Sequence, residues 1–256
     1  MTLWRVLYAE VLKMKRTIAL KMVVLAPAAV VLLVFVMAAN APFSTIRRGG
    51  TGREWAGLTQ LTFLFWAALM MPLYIALEAA LVAGLDHAEN QWKSLLARPV
   101  PRWTWYWAKL IVVVGMLGAS TMVLLCGILI AGAILPRLQP ELAFGFPVPW
   151  ASMFRQGTQV AGLAFLSITI QHWVSLRWRS FSVATGVGIV AMVVGYVASM
   201  ATFRTPDWPQ YFPWSLPMLV LSRHPWDVEG ALWLSIAIGL VVAGTGCFDF
   251  CRREVS

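Results

Sequence analysis

The sequence predicts an all-α integral membrane protein with six transmembrane helices, an N-terminal amphipathic interfacial helix, and a short cytoplasmic helix between spans two and three. Three observations predict it: 60% of the 256 residues are apolar and only 12% charged, mean hydropathy is +0.74, and the charges gather at the ends of apolar runs. A soluble domain carries roughly a quarter charged residues, so water is not the main solvent of this chain. Its apolar runs reach the roughly 20 residues needed to cross about 30 Å of hydrocarbon as a helix. Such a helix satisfies its own backbone, whereas a β-barrel needs an alternation of polarity that these runs lack. The net charge of +9 is spread along the chain and forms no single patch, which favours the lipid bilayer over nucleic acid as the partner.

The first element, within residues 1–16, places Trp4, Leu7, Tyr8, Val11 and Leu12 on one helical face, with Arg5, Glu10, Lys13 and Arg16 mostly elsewhere. That is the pattern of a helix lying flat on the membrane surface. Spans follow at about 17–39, 58–83, 108–135, 154–176, 181–202 and 229–250, making one transmembrane domain over 1–256. Lys21 snorkels from the first span to the headgroups, and the long leader containing Glu10 reads as part of the protein and not as a cleaved signal. Residues Asn40 to Gly57 and the Pro-rich connection from Pro136 to Trp150 form external loops. In the outer segment 203–227, five prolines exclude a long helix, and Trp208, Tyr211, Phe212, Trp214 and Trp226 fit an aromatic belt at the headgroups or an external lid. Gly115, Gly118 and Ala119, and Gly186 with Gly188, offer close helix approach.

Under this topology thirteen Lys and Arg residues lie inside and seven outside. The bias puts both termini in the cytoplasm. Cys126, Cys247 and Cys251 are too few for a disulfide framework and read as small apolar residues.

The loop between spans two and three, about 86–98, is the segment with a mechanism. Asp86 is a good N-cap, Glu89 stands three residues on as in a capping box, Glu89 and Lys93 form an i,i+4 pair, and Pro99 stops the turn just past Arg98. Trp92, Leu95 and Leu96 share one apolar face. A short helix with such a face either lies on lipid or docks in a partner's groove, and a lipid anchor needs only the face, not the caps around it.

These residues, with Glu78 near the inner end of the second span, resemble type-2 ABC exporter permeases, most nearly the lantibiotic-immunity and bacitracin-resistance permeases. The resemblance implies that Glu89, Trp92-Lys93, Leu95-Leu96 and Arg98-Pro99 form a coupling helix seated on a separate ATPase. It implies two copies of that ATPase holding ATP and Mg, and a second permease, identical or different, in a bacterial cytoplasmic membrane. The cargo it implies is an amphipathic peptide or peptide antibiotic, a lipid or a hydrophobic drug. The chain itself carries no phosphate-binding Gly-x-x-x-x-Gly-Lys-[Ser/Thr] motif, so no cofactor is expected on it.

Inside the bilayer the candidates are Glu78, Gln159, Gln171 and His172. An ionised carboxylate there needs protein or water, so Glu78 either works in coupling or pairs with Lys109 or Arg177. His172 reads as a packing hydrogen bond more than a substrate ligand, and Asp249 as a partner for Arg252 or Arg253. No catalytic residue and no metal site is predicted: His-Glu-x-x-His and Gly-x-Ser-x-Gly motifs are absent, and His87 and His224 fall on opposite sides. A secondary transporter would show repeated halves, which the chain lacks.

Overall fold

A computed structural model describes residues 2–15, 17–40, 54–88, 100–140, 142, 144, 147–178, 180–202, 211–221 and 227–252. The described elements are helical throughout: α1 (Thr2–Met14), α2 (Ile18–Asn40), α3 (Glu54–Phe65), a π-turn (Trp66–Met70), α4 (Met71–Ala88), α5 (Arg102–Leu138), α6 (Trp150–Leu163), α7 (Phe165–Arg177), α8 (Phe181–Thr202), a 3-10 turn (Leu216–Leu221) and α9 (Val228–Arg252).

Among the described residues, five helical stretches are long and apolar enough to cross a membrane: Ile18–Asn40, Glu54–Leu85, Arg102–Leu138, Phe181–Met200 and Val228–Arg252. The expected fourth span is instead broken at Ala164 into α6 and α7, of 14 and 13 residues. The break is held from outside. Ser235 Oγ of α9 donates toward the carbonyls of Leu163 at 3.0 Å and Gly162 at 3.3 Å, and accepts from Leu166 N–H at 3.3 Å. A hydroxyl thus adds a partner to backbone groups at the interruption, where non-polar surroundings make unpaired ones costly.

Helix α2 packs chiefly on α5, α9 on α7, and α4 lies between α7 and α8. Pro27 sits inside α2, and lacking an N–H it cannot bond the carbonyl four residues back. That carbonyl, Val23 O, accepts instead from Ser120 Oγ of α5 at 3.1 Å. At the far end, Gln139 Nε2 donates to Ala39 O at 2.8 Å and caps the last turn of α2.

The glycines divide differently from expectation. Gly188 abuts Ala76 and Gln171 and lets α8 close on α4 and α7, whereas Gly115, Gly118 and Gly186 face open space. Close approach in α5 comes from Gly127 against Val31 and Gly132 against Trp55. Trp214, expected in an aromatic belt at the headgroups or in an external lid, is buried with its Cβ facing Gly195, while Tyr211 is exposed. Ser167 Oγ donates to Pro213 O at 2.7 Å, and Leu216 and Leu219 pack on Leu163 and Leu166, so this irregular segment folds back into the bundle. Irregular backbone is tolerated at that depth because protein covers it.

Candidate functional site

One end of the bundle collects α1, the end of α4, the start of α5 and the end of α9. Lys109 of α5 reaches Glu10 Oε2 of α1 at 2.6 Å and Val82 O of α4 at 3.5 Å. Lys13 holds the other oxygen of Glu10 at 2.7 Å and lies 5.6 Å from the centre of the Trp105 ring. Arg102 Nη1 donates to Cys251 O at 3.2 Å. Val6, Trp105 and Ala108 pack beside them. The helices on either side of residues 89–99, α4 and α5, are thus tied to each other and to α1 through Lys109.

Two sequence expectations change here. Glu10 was expected among the polar residues outside the apolar face of α1, yet it is fully buried, and α1 turns Val6, Glu10 and Met14 inward while Trp4, Tyr8, Val11 and Leu12 are exposed. Lys109, offered as a partner for Glu78, pairs with Glu10 instead. The reason is geometric: Glu10 brings Lys13 on its own helix, three residues on, so one carboxylate meets two ammonium groups. Sequence held a signal for this pair, since Lys109 is a lone cation at the start of a long apolar run and Glu10 a lone acid in a basic leader.

Of the loop itself, residues 89–99 lie outside the described residues, and with them Glu89, Trp92, Lys93, Leu95, Leu96, Arg98 and Pro99. Asp86 is not an N-cap: α4 runs on through Ala88, so Asp86 and His87 occupy its last turn. An N-cap residue has left the helical conformation, and nothing in the run up to Leu85 stops the helix before it.

Deeper in the bundle, Glu78 is fully buried and neither of its oxygens has a hydrogen-bond partner, so the expected ion pair is not formed. His172 Nε2 lies 3.3 Å from Tyr106 O and its ring stands edge-on to Tyr106 at 4.9 Å, as a packing contact. With the carbonyl as acceptor, Nε2 carries the proton. Gln171 Nε2 donates to Ala184 O at 2.7 Å. Asp249 accepts from Trp173 Nε1 at 3.0 Å, and Arg252 lies over the Phe248 ring at 3.9 Å. Gln159 is separate from these groups, on α6, beside Arg155 and Gln156 in an open cavity.

Long apolar helices around buried charge define a multi-pass membrane protein whose polar interior faces protein, with its charged clamps at one end. Residues 6–195 match the ABC-2 family transporter protein domain. The chain belongs to that family of membrane transport subunits, and membership implies association with an ABC ATPase. Comparison with curated proteins gives no significant match, and neither does comparison with solved structures.

Proposed function

We propose that this chain is the membrane permease of an ATP-driven exporter in a bacterial cytoplasmic membrane, moving an amphipathic or hydrophobic molecule. A separate ATPase, in two copies carrying ATP and Mg, docks on the coupling helix that follows α4, up to about residue 98, with Trp92, Leu95 and Leu96 in its groove. A second permease, identical or different, completes the pathway. In this reading α6 and α7 together count as one broken span, which makes six spans and places both termini in the cytoplasm. Peptide antibiotics are the first cargo class and lipids or drugs the next.

The observation that carries the reading is the clamp of Glu10, Lys109 and Val82 O at the roots of the loop. A push on the loop then moves α4, α5 and α1 together as one body, which is what a rigid-body switch between two orientations of the pathway needs. The test is co-purification. The permease should bring down an ATPase whose turnover collapses when Trp92 and Leu95 become Asp. Labelling of residue 92 from the external medium would end the proposal.

A further inference from the structure

Helix α6 is amphipathic in a place where polarity is costly. Ser152, Arg155, Gln156 and Gln159 recur at i, i+3, i+4 and i+7 and, with Thr59 and Gln60 of α3, line an open cavity of about 320 Å³. That volume falls at the small end of the roughly 300–1,000 Å³ of ligand sites. The stripe does not lie beyond the bundle's end. Gly157, in its midst, faces Thr121, Leu125 and Phe63 within ordinary contact distance, and Thr121 is next to the midpoint of the 37-residue α5. Polar side chains at that depth face protein or water, not lipid tails.

Thr59 is buried and its hydroxyl has no hydrogen-bond partner. Among the described residues lining the cavity, Arg155 alone carries charge, and it is exposed. Its guanidinium presents a planar fork suited to a phosphate or carboxylate, and the amides and hydroxyls around it supply further donors. Ala56, Met153 and Val220 supply apolar lining to the same cavity. An apolar flank beside a cationic polar cavity suits a molecule with an anionic head and an apolar tail.

We infer that this cavity binds the anionic headgroup of an amphiphile, with Arg155 on the phosphate or carboxylate, the amides of Gln60, Gln156 and Gln159 around it, and the start of the tail against Met153 and Val220. That the bound molecule is cargo rests on the permease reading. The binding itself does not, and is measured with no ATPase present, so the failure of one leaves the other standing.

The experiment uses the full chain in phosphatidylcholine nanodiscs and a water-soluble thiol reagent, with the unmodified chain as background for its native cysteines. Gln159→Cys should be modified much faster than Met122→Cys, a lipid-facing position at the level of Gly157. Equal rates would mean no aqueous cavity and overturn the inference. Octyl phosphate, below its micellar concentration, should then slow modification of Ala56→Cys, whose side chain lines the cavity. Arg155→Gln should weaken that protection about tenfold or more, as loss of a charge-assisted hydrogen bond does, and Arg155→Lys should restore part of it. Absence of protection, equal protection by octyl glucoside, or equal protection by inorganic phosphate would each overturn the anionic-amphiphile site, the last by showing a site for a free anion only.

Discussion

Glu10 and Lys109, 99 residues apart in sequence, meet at 2.6 Å with neither side chain reachable by solvent. The pair joins a surface helix to a span, and it decides how α1 sits: the acid is drawn inward, and the apolar residues of the opposite face are left to meet lipid. Removing one partner of a buried pair strands the other charge, at about 3–5 kcal/mol. Glu10→Leu alone and Lys109→Met alone should therefore each lower the unfolding midpoint in detergent sharply. The double variant should recover most of the loss, because the Lys13 side chain is partly exposed and its charge stays within reach of water. A double variant no better than the worse single one would show that the pair does not act as a unit.

Glu78 is the opposite case, a buried carboxylate with no partner to strand. Its replacement by Gln should leave the unfolding midpoint within about 4 °C of the unmodified protein, the shift of roughly 1 kcal/mol in a chain of this size. If the carboxylate serves the transport cycle, the same variant should lose cargo-stimulated ATP turnover in the assembled complex while folding normally. A large stability loss would instead assign Glu78 to the architecture.

Five of the spans expected from sequence appear with ends within about six residues of their predicted places, because span length and apolar content are properties of a local window. Two classes of feature escaped. The break at Ala164 carries no Pro or Gly at its centre, and what stabilises it is Ser235, more than 70 residues away by chain. The pairing of Glu10 with Lys109 is likewise a choice among several cations, and only packing makes that choice. His172 was legible as a packing group because a lone histidine among apolar residues has few other outcomes. Gln159 was singled out by itself, while the stripe it belongs to emerges once Ser152, Arg155 and Gln156 are placed on the same helix.

Ser235 supplies its hydroxyl to three backbone groups at the α6–α7 break. Ser235→Ala removes all three contacts and leaves buried polar groups unmade, a cost of about 1–3 kcal/mol. The loss should be local first. Hydrogen exchange at residues 162–168 should quicken before the rest of the bundle responds, and Ser235→Thr, which keeps the hydroxyl, should exchange close to the original rate. Unchanged exchange in the alanine variant would show that the break needs no external partner.

Pro27 and Ser120 make the sharpest case, because each explains the other. The proline leaves Val23 O without its helical donor, and Ser120 Oγ supplies one from the neighbouring helix at 3.1 Å. Ser120→Ala in the natural background should cost about 1–3 kcal/mol, the penalty of a buried acceptor left unpaired. In a Pro27→Ala background the helix provides its own N–H to Val23 O, so the same substitution should cost much less. The two changes should therefore be non-additive by at least about 0.5 kcal/mol, as neighbours that share one hydrogen bond are. Unfolding midpoints of the four proteins in one detergent measure this directly. Strict additivity would mean that the hydroxyl merely rests near the carbonyl, and that the turn of α2 before Pro27 is held by packing alone.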